Sequence, residues 1–437
     1  MSFTRKLRVV SGAVVAGALL FGTAPVASAD QIRDAQWPLK AFDAEKIWEL
    51  STGKGVTVAV IDDGVDSRHP DLKGNVLPGK DFNDGGSADP EDGDTHGTQM
   101  ASEIAGHGHG PGGASGVKGL APDAKILPVR DSGTTEKGFG PAIRYSVDHG
   151  ASVINISQAV STKSDGDVEA IAYALKHDVL VVTSSGNEGK GAEAIEYPGS
   201  YPGVLTVGGV QNSGEIWSKS NYGPPVLLSA PAVGIVSAGN SGTSMYQKGT
   251  GTSDATAYVS ASIALLREKF PDLSVGQLVN RLTKSAGLPA SAKGSQLPDQ
   301  KYGYGFIQPL AALKRDIPAG PKNGPLKMPT AASSPAAGDS AVSQGNDGSG
   351  DSTQAASKAG MSPLFIVIIV VGGLVVIGIV LAIVLMVVRR KGRRNGPPPG
   401  GPGAPGFGGQ QVPYQQQGGV PGQYSAPPGQ YPPPPGQ

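Results

Sequence analysis

Between residues 50 and 270, short continuous apolar runs alternate with segments whose apolar residues recur every three to four positions. The runs are Val56–Ile61, Lys125–Val129, Ser152–Ile156, Val179–Thr183 and Val204–Val207. They are rich in β-branched residues and lack a polar alternate position. That pattern predicts strands of a parallel sheet covered on both faces. Helical patterns fall between them, at Pro141–His149 and Val168–His177. A last long helix runs from Ala255 to Phe270, with Val259, Ile263, Leu266 and Phe270 on one face. Strands alternating with helices predict a doubly wound α/β fold, in which reactive groups gather beyond the carboxyl ends of the strands. Asp62 ends the first run. Ser157 and the segment Ser184-Ser185-Gly186-Asn187 follow two others, and Ser253 stands immediately before the long helix.

The ends of the chain carry different patterns. Arg5, Lys6 and Arg8 precede an apolar stretch, Val9 to Phe21, and Ala27-Ser28-Ala29 fits a small-x-small cleavage site. Residues 1–29 therefore predict a secretory signal cut before Asp30. Leu364 to Val388 is an uncharged run of Ile, Val, Leu and Gly, 25 residues long. At about 1.5 Å per residue it spans a hydrocarbon core of about 30 Å. Arg389-Arg390-Lys391-Gly392-Arg393-Arg394 follows and predicts a cytoplasmic end, which puts the bulk of the chain outside a cell membrane. Residues 30–316 have globular composition. Residues 317–362 are rich in Ala, Ser, Gly, Pro and Asp and predict a flexible stalk. Residues 389–437 begin basic and continue in Pro, Gly, Gln and Tyr, the composition of an unstructured cytoplasmic tail.

Formal net charge is zero across 437 residues, which gives no reason to expect nucleic acid as a partner. The chain has no cysteine, so disulfides, thiolate metal sites and a cysteine nucleophile are excluded together. The remaining chemistry is a serine, a histidine and a carboxylate. A serine hydroxyl needs a base to take its proton, and histidine suits that role, with an ordinary pKa of about 6.5. A carboxylate orients the base, and preorganised donors stabilise the oxyanion. In chain order the candidates are Asp62, His96 and Ser253, with Asn187 as a side-chain oxyanion donor. Ser244, in Gly242-Thr243-Ser244-Met245, matches the serine block locally, but Tyr246-Gln247-Lys248-Gly249 follows it rather than an apolar helix, so Ser253 is preferred. Asp63 competes with Asp62, and the last apolar residue of the strand, Ile61, favours Asp62.

These residues carry a resemblance. Val60-Ile61-Asp62-Asp63-Gly64, His96-Gly97-Thr98, Ser185-Gly186-Asn187-Glu188-Gly189 and Gly251-Thr252-Ser253 resemble, in order, the four signature blocks of the subtilases, the subtilisin-like serine proteases. Gly119-Leu120-Ala121-Pro122 is similar to a further block of that family. The resemblance covers about Trp48 to Ala312. It implies Asp62 as the orienting carboxylate, His96 as the base, Ser253 as the nucleophile and Asn187 as oxyanion donor beside the Ser253 N–H. It also implies that Gly138-Phe139-Gly140 and Ser157-Gln158-Ala159, with Gly186, hold an extended peptide by strand addition. Phe139 either lines an apolar subsite or packs its own loop.

The order of signal, protease domain, stalk and span is similar to the mycosins, membrane-anchored subtilases of type VII secretion systems. So is the opening Gln31-Ile32-Arg33-Asp34-Ala35-Gln36-Trp37. Only 32 residues separate the predicted cut from Asp62, which suits an N-terminal extension rather than a large propeptide. The implied function is a membrane-anchored serine endopeptidase acting on protein or peptide, associated with type VII secretion components. The alternative is a structural subunit of a secretion complex with little turnover. The chain departs from the family at Asp254, Ala257 and Gln99, and in lacking the disulfides mycosins commonly carry. For Asp254 three consequences stay open: a raised His96 pKa, repulsion of the oxyanion, or a favourable charge at a helix N-terminus.

No cofactor and no metal is expected. His69 is expected to pack structurally, His107 and His109 to sit in a solvated Gly-rich loop, and His149 and His177 to complement helix C-termini. Asp84, Asp89, Glu91, Asp92 and Asp94 form an acidic loop whose spacing is not that of a calcium loop.

Overall fold

The computed structural model describes residues 30–239 and 245–329. Ser244, the signal segment, most of the predicted stalk, the apolar run Leu364–Val388 and the tail lie outside the described residues. Among those described, no helix is long and apolar enough to cross a membrane.

Three short helices open the chain: α1 (Asp30–Ala35), α2 (Trp37–Phe42) and α3 (Ala44–Trp48). Strands β1 (Thr57–Asp62) and β2 (Lys80–Asp81) lead to helix α4 (His96–Ala105), a hairpin of β3 (His107–His109) and β4 (Ser115–Lys118), and strand β5 (Lys125–Arg130). Then come α5 (Gly140–Asp148), β6 (Val153–Ile156), α6 (Asp165–Lys176), β7 (Leu180–Ser184), β8 (Leu205–Val210) and β9 (Val226–Pro231). A second hairpin, β10 (Val233–Ala238) and β11 (Tyr246–Thr250), precedes α7 (Thr252–Lys269), α8 (Val275–Ser285) and α9 (Pro309–Lys314).

Seven strands form one sheet in the order β2-β5-β1-β6-β7-β8-β9, every pair parallel. Successive side chains of a strand point to opposite faces, and both faces are buried. Val58 and Val60 of β1 join one apolar cluster, with α4 and α7, while Ala59 and Ile61 join the other, with α5 and α6. This explains why the strands read as unbroken apolar runs. The strand order reverses between β1 and β6, and Asp62 and Ser157 stand at or just beyond their carboxyl ends, where α/β sheets place reactive groups.

Two expectations need correction. Helix α7 is not amphipathic: every residue from Thr252 to Leu266 is buried. It lies between the sheet and helices α4 and α8, so small residues such as Ala255, Ala257, Ala261 and Ala264 are needed all round it. The residues predicted to open the stalk, 317–326, are fastened to the domain. Arg281, 5% exposed, donates to the carbonyls of Ala312, Arg315 and Ile317. Gln277 and Ser274 donate to the carbonyls of Gly320 and Lys322, and Leu326 is buried. Those backbone contacts, invisible to composition, hold the segment onto α8.

The N-terminal extension is also fastened. Arg33 donates to the carbonyls of Gly113 and Gly116, Gln36 makes a two-way bond with the Lys118 backbone, and Trp37 Nε1 donates to the Val233 carbonyl.

Candidate active site

Asp62 ends β1 and is 1% exposed. Its Oδ1 accepts from His96 Nδ1 at 2.8 Å, from Gln158 Nε2 at 3.2 Å and from the Asp63 N–H at 2.9 Å. A proton on Nδ1 leaves Nε2 as the free basic nitrogen. Asp63 has a different task. Its two oxygens accept the N–H groups of His96 and Gly97 at 3.0 and 2.7 Å, capping α4. Adjacent carboxylates thus divide the work, one holding the imidazole and one the start of its helix. Gly97 is required for close approach: a Cβ there would stand 2.2 Å from the Gly64 carbonyl oxygen.

Ser253 lies in the first turn of α7, 9% exposed. Its hydroxyl donates to the Ser157 carbonyl at 3.1 Å, and Ser157 Oγ donates back to the Ser253 carbonyl at 3.3 Å. Asn155 continues the link, donating to Ser157 Oγ and accepting from Ser260 Oγ, both at 3.0 Å. The end of β6 and the start of α7 are therefore pinned together, each polar group satisfied inside the core.

Asn187 follows β7. Its Oδ1 accepts from the N–H and the hydroxyl of Thr252, both at 2.9 Å, while that hydroxyl accepts from the Gly186 N–H at 3.2 Å. The amide orientation is thereby set, and Nδ2, a donor only, faces away from Thr252. Gly186 has φ +101, and a side chain there would meet Asn221 Nδ2 at 2.4 Å. The turn presenting Asn187 needs glycine on both counts.

The charges around His96 oppose its burial. Burial lowers the imidazole pKa, but Asp62, then Asp63 and Asp254, raise it to about 9 overall. Asp63 is itself pushed up to about 6 by burial and the neighbouring Asp62. Of the His96 side chain, 36% reaches solvent, which screens these charges.

Other expectations fared variously. Phe139 is fully buried among Ile61, Val129, Ile143 and Ile156. Its ring occupies the space a Gly133 side chain would take, so it packs its own loop and presents no surface to a subsite. Gly138 takes φ +57 against the Asp167 carboxyl, and Gly140 opens α5. His69 is buried with Nε2 on the Met245 carbonyl at 3.0 Å. His107 and His109 form the β3–β4 hairpin rather than a solvated loop. His109 Nδ1 bonds the buried Asp71 at 2.6 Å, and Asp71 also takes the Val117 N–H. The acidic loop is tied to Arg130, which pairs with Asp81, Asp84 and Glu91. Among the described residues no cluster of His, Asp or Glu is arranged to hold a metal. His149 and His177 stand at the C-caps of α5 and α6.

Sequence reasoning missed the roles of Thr252 and Gln158, although both stand inside segments already singled out. It also passed over Glu103, fully buried on α4, for which the only cue was a carboxylate flanked by core residues Met100 and Ile104.

A parallel seven-stranded sheet with a buried Asp bonded to a partly exposed His at its switch point, and a serine opening the helix behind it, defines a class. The model of the Subtilase family (Peptidase S8) matches residues 53–305. The chain belongs to that family, the subtilisin-like serine proteases. Among its relatives, Mycosin-1 of Mycobacterium tuberculosis (strain ATCC 25618 / H37Rv) is 33% identical over 357 residues, covering 68% of this chain and 76% of that protein. Mycosin-1 of Mycolicibacterium smegmatis (strain ATCC 700084 / mc(2)155) is 31% identical over 354 residues, covering 68% and 76%. Among solved structures, MycP1 with its N-terminal propeptide removed matches at 30% identity and TM-score 0.56, covering 65% of this chain and 99% of that one. The MycP3 protease of the type VII (ESX-3) secretion system matches at 32% identity and TM-score 0.53, covering 64% and 88%.

Proposed function

We propose that this protein is a mycosin-like serine endopeptidase that works beside a type VII secretion machine. Its protease domain is held outside the membrane by the span Leu364–Val388. The observation that carries the catalytic reading is the 2.8 Å bond from His96 Nδ1 to Asp62, which reserves Nε2 for a proton from Ser253.

In this mechanism a bound peptide carbonyl approaches Ser253, whose hydroxyl leaves the Ser157 carbonyl and gives its proton to His96 Nε2 as Oγ attacks. Asp62 stabilises the imidazolium without taking its proton. The oxyanion is met by Asn187 Nδ2 and the Ser253 N–H. His96 then protonates the leaving amine, and water releases the acyl group by the same steps reversed. The backbone at Ser157-Gln158-Ala159 pairs with the extended substrate; Gly138 and Gly140 do not, since both are buried and their N–H groups already bond the carbonyls of Thr135 and Lys137. The secretion role is supported by likeness to proteins whose structures are described as type VII components, and by the signal and span patterns at the two ends of the chain.

A fluorophosphonate probe on the full-length protein tests the catalytic reading. Wild type should be labelled, and Ser253→Ala and His96→Ala should not. Persistent labelling of Ser253→Ala would remove Ser253 as nucleophile. Membrane fractionation of the full chain against one ending at Pro363 tests the anchor, since only the former should sediment with membranes.

A further inference from the structure

Helix α4 carries His96 at its start and packs along α7, which carries Ser253 at its start. Behind both lies a buried polar cluster that the mechanism above does not use. Glu103 of α4 is fully buried, and neither of its oxygens meets an N–H or hydroxyl donor among the described residues. Asp254 of α7, 3% exposed, likewise has no such donor at Oδ1. The two carboxyl groups face each other, and the buried Tyr258 hydroxyl stands beside them. Gly249 closes the cluster from β11, where a side chain would stand 3.2 Å from Asp254 Oδ1 and 3.4 Å from Gln99 Oε1.

Two carboxylates in contact in a dry site cannot both be ionised, because each pays for burial and repels the other. They can be hydrogen-bonded only if one holds a proton. Burial, then the neighbouring Asp254, pushes Glu103 well above the carboxylate range. Burial lifts Asp254 only to about 6, because the Glu103 carboxyl, His96 and the N–H groups of Asp254 and Gly251 favour its anion. Asp254 stands in the first turn of α7, whose N–H groups favour an anion, while Glu103 is fully buried away from any such donor, so the proton belongs on Glu103.

We propose that Glu103 and Asp254 form a proton-sharing carboxyl pair, with Glu103 the neutral donor and Asp254 the anionic acceptor, that positions the Ser253 turn against the His96 helix. Both are positioning residues for the protease reaction, and the proposal rests on the reading of Ser253 and His96 given above. The pair replaces apolar packing with one strong directed bond between the two elements that must stay in register for proton transfer. It also aims the Asp254 charge at His96, adding to the charges of Asp62 and Asp63. Asp254 therefore tunes the base together with Asp62 and Asp63.

The test measures the rate of fluorophosphonate labelling against pH in the full-length protein. Glu103→Gln keeps a donor toward Asp254 and should label within about threefold of wild type, with the acid limb unmoved. Glu103→Leu leaves Asp254 without its donor and should label about tenfold more slowly or worse. Asp254→Asn removes a charge facing His96 and should move the acid limb down by about half a pH unit or more, which a merely structural role would not do. Glu103→Gln as impaired as Glu103→Leu overturns the neutral donor, and an unmoved limb in Asp254→Asn overturns the tuning. If circular dichroism shows Glu103→Leu unfolded, the other two variants decide. Labelling of Ser253→Ala would bring down the site reading and the pair's role with it. Loss of label there with Glu103→Gln as impaired as Glu103→Leu sinks the pair alone.

Discussion

Gly97→Ala is the sharpest probe of how the site is assembled. The new methyl group would lie 2.2 Å from the Gly64 carbonyl oxygen, about 1.2 Å inside ordinary contact, which begins at 3.4 Å. The obstructing Gly64 oxygen is backbone, and the Asp62 Cβ stands only 3.1 Å away. No side chain can rotate clear, so the start of α4 must lift off β1. A lift of that size stretches the 2.8 Å bond between His96 and Asp62 towards about 4 Å, past hydrogen-bond reach. Misplacement of a catalytic group by about 1 Å costs about a hundredfold in rate. Stability should move much less. Overpacking costs about 1–3 kcal/mol, and exchanging glycine for alanine in a helix returns about 1 kcal/mol. Probe labelling and thermal melting of the same preparation separate the two effects. The expected result is a rate loss near a hundredfold with a melting temperature a few degrees lower. Labelling within about threefold of wild type would show that the close approach at Gly97 does not set the imidazole.

Three further outcomes follow from the same geometry. Asn187→Ala should lower kcat by about a hundredfold or more with little change in KM, as for removal of a preorganised oxyanion donor; an unchanged kcat would exclude its amide from the oxyanion site. Thr252→Val keeps the N–H but deletes one of the two bonds orienting that amide. It should cost about five- to tenfold in kcat, and a loss as large as that of Asn187→Ala would argue for wider disruption. The pH dependence has a defined sign. His96 must be neutral to act, and its pKa is raised to about 9, so kcat/KM should fall on acidification with a midpoint above the 6.5 of free imidazole. The imidazolium also contributes stability that is complete below about pH 6.5 and lost as pH rises through about 9. A titration midpoint at or below 6.5, read by NMR of the ring, would contradict this.

Much of the molecule was legible in the residues alone, and the reason is periodicity. A strand buried on both faces carries few polar positions, each needing an internal partner, so β1, β5, β6, β7 and β8 announced themselves as largely apolar runs, with boundaries within a few residues. Asp62, His96, Asn187 and Ser253 were legible as local blocks, because each needs a particular turn or cap around it. Tertiary structure decided what no local pattern encodes. Phe139 reads as a candidate subsite residue until its ring is seen filling the space beside Gly133. Residues 317–326 read as stalk until Arg281 is seen holding the carbonyls at their start. Asp62 and Asp63 are alike in sequence and part company only when α4 is laid across the end of β1. Glu103 and Asp254 lie 151 positions apart, and burial makes each costly alone. Only the packing of α4 on α7, which excludes water and sets the two carboxyls face to face, turns them into a proton-sharing pair.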